Sequence, residues 1–161
     1  IGDALAIATM KYRKFDKLDF KKFHPSGSLG IKLKTAEDLM MKKLKIPFIN
    51  QNLDMNNALK VMRKSNMGII IVRDKRKNTV GIISDGDIKR INNKNTNFKK
   101  IVAKKIMKKN PISVDKNILA SKCLAIMTDK KITCLCIHSE KNKNKTIGIL
   151  HIHSILNSNI Q

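Results

Sequence analysis

Two kinds of apolar pattern alternate along the chain. Short continuous runs, Gly68-Ile69-Ile70-Ile71-Val72 and Ile132–Ile137, are bounded by polar residues and read as buried strands. Apolar residues at helical spacing, Met55, Ala58, Leu59 and Met62 in one place and Leu119, Cys123 and Met127 in another, predict amphipathic helices. Each helix precedes one of the buried strands. A polar hairpin connection follows (Asp74–Thr79, then Ser139–Thr146), and after it a second strand (Val80–Ile83, then Ile147–Leu150) running into a helix start (Asp85–Ile91, then His151–Leu156). Upstream of each unit stands a short helix, Thr35–Met41 or Ile101–Met107, and a short extended piece, Ile46–Ile49 or Pro111–Val114. Thr35, with Glu37 and Asp38 behind it, and Asp54 are the expected N-caps.

The order helix–strand–helix–strand–strand–helix therefore occurs twice. Neither copy is expected to bury its sheet alone, so the predicted fold is α+β, with two β-α-β-β-α halves packed on each other. The boundaries fall at residues 1–34, 35–97 and 98–161, with the polar stretch Asn93–Lys100 as linker. The most informative stretch is Val80–Arg90, VGIISDGDIKR, in which a buried strand delivers a hydroxyl and a carboxylate to the start of a helix. Its echo, Gly148-Ile149-Leu150-His151-Ile152-His153-Ser154, places His151 and Ser154 where Ser84 and Asp87 stood.

Composition changes this picture little. The formal charge is +22, which by itself suggests a polyanionic partner. The basic residues are mostly Lys, scattered, and accompanied by much Ile and Asn. There is one Tyr and no Trp, so the aromatic–basic interleaving of a single-strand-binding surface is missing, and the reading goes against nucleic acid. Cys123, Cys134 and Cys136 imply no disulfide framework and read as small hydrophobes in a reduced, cytoplasmic compartment. His151 and His153 lack further ligands nearby, so no metal is assigned. No apolar run approaches the roughly 20 residues of a membrane span. The chain opens on Ile1 directly into a helical pattern, as expected of a chain continued upstream. His24-Pro25-Ser26-Gly27-Ser28-Leu29-Gly30 is either an ordinary loop or a turn that offers a histidine to a polar ligand.

The doubled unit, closing its last strand with Gly-apolar-apolar-Ser-x-x-Asp, resembles the cystathionine-β-synthase (CBS) motif, two of which typically form a nucleotide-binding pair. The motifs GDALA (Gly2–Ala6), HPSGSLG (His24–Gly30), SDGDIKR (Ser84–Arg90) and GILHIHSIL (Gly148–Leu156), in this order, resemble the D-arabinose-5-phosphate isomerases. These join a sugar isomerase (SIS) domain to a C-terminal CBS pair. The resemblance implies that residues 1–34 are a helical remnant of the α/β SIS domain and that His24 is a catalytic histidine serving a neighbouring subunit. It also implies a parent that interconverts ribulose 5-phosphate and arabinose 5-phosphate for the Kdo sugar of lipopolysaccharide or capsule. An aldose–ketose isomerisation needs a phosphate cradle and a positioned base, so this stretch alone is expected to be inert. No cofactor is expected.

Within the pair, Ser84 and Asp87 are the expected nucleotide contacts, phosphate or ribose to the hydroxyl and ribose hydroxyls to the carboxylate. Backbone at Met67, Gly68 and Ile69 is expected beside the base, with Gly81, Thr133 and His151 completing the candidate set. The effector expected from the resemblance is CMP-Kdo or an adenine nucleotide, one per chain, because Asp87 has no counterpart at Ser154. The alternatives are an oligomerisation module with an empty cleft, associating as dimers of pairs within a tetrameric parent, and a free-standing nucleotide sensor.

Overall fold

The computed structural model describes residues 1–16, 19, 23, 28–42, 45–92 and 100–158. His24 and most of its loop lie outside them.

Helix α1 (Gly2–Tyr12) and helix α2 (Ser28–Lys32) precede the repeats. No residue of α1 is buried; Leu5, Ile7 and Met10 are all exposed. The first repeat runs α3 (Ala36–Leu39), β1 (Met41–Lys42), β2 (Phe48–Asn50), α4 (Met55–Ser65), β3 (Ile69–Arg73), β4 (Thr79–Ser84) and α5 (Asp85–Asn92). The second runs through a 3₁₀ turn (Ala103–Lys105), β5 (Lys108–Lys109), β6 (Ser113–Asp115), α6 (Ala120–Asp129), β7 (Cys134–His138), β8 (Gly148–His151) and α7 (Ile152–Leu156). The helix expected over Ile101–Met107 is thus only a single 3₁₀ turn. Its partner α3 begins with a capping box in which the Thr35 hydroxyl and backbone N–H both meet the Asp38 carboxylate, whereas Val102 offers no capping side chain. Asp54 caps α4 as expected, accepting from the Asn57 N–H at 3.0 Å.

The strands form two four-stranded sheets, β2-β3-β4-β5 and β1-β8-β7-β6. Within each, one parallel pair (β2/β3, β6/β7) lies beside one antiparallel hairpin (β3/β4, β7/β8). The edge strands are exchanged. β1, from the first repeat, pairs with β8, with Met41 opposite Ile149 and Lys42 opposite Gly148. β5, from the second repeat, pairs with β4, with Lys108 opposite Ile82 and Lys109 opposite Gly81. Ala36 accordingly packs in the second repeat's core, and Ala103 and Ile106 in the first repeat's. Sequence repeat and structural half are therefore out of step by one short segment on each side.

Each sheet is covered by helices on one face and by the other sheet on its second face. Ile70 and Val72 of β3 point to α4 and meet Met55, Ala58 and Met62. Ile69 and Ile71 point the other way and meet Cys136 and Ile149 across the interface, joined by Ile82 and Cys134. This two-sided burial explains why β3 reads as an unbroken apolar run rather than an alternating one. It also places the Cys134 and Cys136 thiols on one face, where burial pushes them up to about 12 and about 11, and Cys123 on the other, up to about 11. All three stay protonated and packed. At the hairpin ends the halves are tied by a 2.7 Å hydrogen bond between the Thr79 and Thr146 hydroxyls and by Arg73 donating to the Thr146 carbonyl at 3.1 Å. Arg73 also lies over the Phe48 ring.

Candidate functional site

The end of the sheets opposite the Thr79–Thr146 contact opens into a cleft between the halves. β4 ends at Ser84, whose hydroxyl and N–H turn back onto the carboxylate of Asp87 in the first turn of α5. Ser84 Oγ donates to Asp87 Oδ2 at 2.5 Å and Ser84 N at 3.0 Å, and the Asp87 N–H donates to Ser84 Oγ at 3.3 Å. This reciprocal box is what the sequence Ser-Asp-Gly-Asp encodes at a helix start. The other carboxylate oxygen, Oδ1, accepts from Arg90 one turn on and from Lys108 Nζ at 3.1 Å, the lysine arriving on the exchanged strand β5. Asp87 is buried, and burial alone pushes its carboxyl up. The hydrogen bonds from Ser84, with Lys108 and Arg90, outweigh that and hold it at about 2.

Around this corner is a cavity of about 410 Å³. Its floor is apolar, from Ile69, Ile82, Ile112, Ile132, Cys134 and Cys136. Its rim is polar, with Ser84, Asp87, Thr133 and the cations Arg90, Lys108, Lys109 and Lys131. An apolar slot with a charged, hydroxyl-bearing edge suits a flat heterocycle carrying an anionic tail.

Of the residues nominated from sequence, Ser84, Asp87, Ile69 and Thr133 come together in this cavity. The others sit elsewhere. Met67 packs at the sheet–sheet interface. Gly68, at φ +65°, lines a separate groove with Asp85 between α4 and α5. Gly81 lies under the Met107 side chain, 2.5 Å from its sulfur to an added Cβ. His151 ends β8, caps α7 through its Nδ1 and stacks on His153 with ring centroids 5.0 Å apart. Burial, reinforced by His153, keeps His151 below its usual range. Among the described residues no group of His, Cys, Asp and Glu is arranged to hold a metal ion.

Sequence reasoning missed Ile82 and Arg90 of the first repeat, which lie close to the nominated Ser84 and Asp87 in the chain, and Lys108, Lys109, Ile112, Lys131 and Ile132 of the second. The latter group reaches Ser84 only through the strand exchange and the facing of the sheets. The signal available was the repeat itself: Ile132–Cys134, with Lys131 just before it, occupies the register of Met67–Ile69, the segment already nominated in the first copy.

The profile of the CBS domain matches residues 36–93 and 103–159. The chain belongs to the CBS domain family, as a tandem pair. Several curated relatives align over 99% of it. The uncharacterized protein RP505 of Rickettsia prowazekii is 33% identical, with 49% of its own length covered. Arabinose 5-phosphate isomerase KdsD of Salmonella typhimurium is 30% identical, with 48% covered. The chain thus spans about half the length of these curated relatives. Among solved structures, CBSX2 in complex with AMP superimposes with a TM-score of 0.68 at 19% identity, covering 77% of this chain and 94% of that one. The CBS pair of MJ0100 in complex with 5′-methylthioadenosine and S-adenosyl-L-methionine does so at 0.69 and 20% identity, covering 78% and 94%. These two likenesses show the fold. No described helix is long and apolar enough to cross a membrane.

Proposed function

We propose that this CBS pair is the regulatory part of an arabinose-5-phosphate isomerase and that a nucleotide or nucleotide-sugar effector binds in the Ser84–Asp87 cleft. The observation that carries the reading is the cavity itself, an apolar slot between the halves with the Ser84 and Thr133 hydroxyls and the cations Arg90, Lys108, Lys109 and Lys131 on its rim. The KdsD relatives and the nucleotide complexes of CBSX2 and MJ0100 support it. On this reading residues 1–34 are the tail of the isomerase domain, and His24 belongs to the catalytic apparatus of the whole protein.

Calorimetry with AMP and with CMP-Kdo tests the proposal, using the wild type and Thr133→Phe. Thr133 is an exposed rim residue, so the phenylalanine obstructs the cavity without disturbing the core. One of the two ligands is expected to bind and to lose at least about tenfold in affinity in the variant. Unchanged affinity in Thr133→Phe removes the cleft as the site; no heat with either ligand removes the nucleotide reading.

A further inference from the structure

The two repeats end their last strands on different chemistry. At the first strand–helix junction the Asp87 carboxylate, boxed with Ser84, is held at about 2 and stays ionised through mild acid. At the second, His151 and Ser154 stand where Ser84 and Asp87 stood. There the cap of α7 is an imidazole: His151 Nδ1 accepts from the His153 N–H at 3.3 Å. An accepting Nδ1 belongs to a neutral ring that carries its proton on Nε2. Protonation turns Nδ1 into a donor, so the charged ring and the cap exclude each other.

The surroundings of His151 also oppose its charged form. The ring is half-buried at the end of β8 and stacks on His153, and burial with His153 holds it below the 6.5 of an ordinary imidazole. On β7, Cys134 lies directly opposite and Cys136 two places on, both kept protonated by burial. On α3, Glu37 is engaged by Lys116 and Asp38 by Thr35. On α6, Asp129 pairs with Lys130, Lys122 is exposed and the Cys123 thiol is protonated. Lys42 arrives on β1 opposite Gly148, three places from the ring. Among the described residues only His153 acts on the charge of His151, and it acts against it.

α7 depends on this start. A five-residue helix has too few internal hydrogen bonds to persist without its cap and its docking. Its fully buried Ile155 shares a core with Ala36, Ala120 and Leu150, and the Ile152 N–H donates to the Thr133 carbonyl at 2.9 Å, next to β7. We infer that His151 is an acid-operated latch: protonation of its ring releases the start of α7 and loosens the second half of the pair, while the first stays closed. The sign follows from the ring being easier to charge in the open helix than in the capped one. Opening therefore becomes more favourable as pH falls below about 6.5. His138 works in the opposite sense at the other end of β7. Its Nδ1 lies 3.9 Å from Asp115 Oδ2, a buried oxygen with no hydrogen-bond partner among the described residues, and charging His138 gives that oxygen a cation. The release is thus confined to α7 and the neighbouring start of β7.

Hydrogen exchange of the whole chain at about pH 7.5 and about pH 5, corrected for the intrinsic pH dependence of exchange, tests the latch. Protection of α7 and of the first residues of β7 is expected to fall roughly threefold to thirtyfold in acid, the span over which loss of a helix cap acts. β3, β4 and α5 are expected to be unchanged. His151→Asn keeps a capping acceptor that does not titrate, and its α7 is expected to be equally protected at both values. His151→Ser, which copies Ser84, takes its place should the asparagine variant fold poorly. His153→Gln leaves the cap and removes the opposing charge, so the midpoint of the release is expected to move to higher pH; a merely structural cap would not respond. In the wild type, the His151 ring is expected to titrate below 6.5 by NMR. Equal protection of α7 at both pH values overturns the latch. So does a loss that persists in His151→Asn or His151→Ser, since it then arises from another group, and so does a His151 ring that titrates at or above 6.5.

Discussion

Asp87 has two roles that a sequence cannot separate: it closes the capping box with Ser84 at the start of α5, and it holds Arg90 and Lys108 at the cleft. Both act on its ionised form, so its carboxyl sits at about 2 against 3.8 for an ordinary aspartate. A folded-state value below the unfolded one contributes stability above about pH 4, and that stability is lost as pH falls toward 2. The contribution is on the order of 2 kcal/mol at neutral pH. Urea unfolding of wild type and Asp87→Asn is expected to show this difference at pH 7 and its disappearance between pH 4 and pH 2. A constant difference across that range would mean that the ionised form is not what matters. Ser84 and Asp87 were legible in the sequence because a hydroxyl and a carboxylate three residues apart at a strand–helix junction form a local box. Lys108 and Lys131 were not, because their proximity to Asp87 depends on pairing with residues far along the chain.

The glycines of β4 and β8 show the same principle at the scale of an element. Neither has left-handed backbone; what each requires is room. Methionine side chains from the exchanged segments, Met107 over Gly81 and Met40 over Gly148, occupy the space of a Cβ, with Met40 Cγ only 2.8 Å from the position it would take. Gly148→Ala is expected to cost about 1–3 kcal/mol through overpacking. In a double-mutant cycle with Met40→Ala, the pair should cost clearly less than the sum of the singles by urea denaturation. Additivity would show that the glycine is kept for some reason other than this contact. The strands around these sockets were readable from their apolar runs and flanking turns. β1 and β5 were not: two residues each, polar or half-exposed, they carry no periodicity, and only their hydrogen bonds to β8 and β4 make them strands.

For the whole molecule the consequence is mutual dependence. Each half's sheet is completed by the other repeat, and the interface layer of Ile69, Ile71, Cys136 and Ile149 is shared. A change in the first repeat's leading segment should therefore be felt in the second half. Ala36 is fully buried beside Ala120, Cys123 and Leu150. Ala36→Val is expected to destabilise by about 1–3 kcal/mol and to accelerate native-state hydrogen exchange in β7 and β8 more than in β3 and β4. Faster exchange confined to β3 and β4 would sink the exchanged arrangement. Period, turn chemistry and capping are local, and the chain's own order carried them: the α+β class, the doubled unit, the caps at Thr35 and Asp54, and the Ser84–Asp87 corner. Which repeat completes which sheet and which cations face that corner follow from packing two half-buried sheets against each other. That packing depends on contacts between residues remote in sequence, which no window along the chain contains.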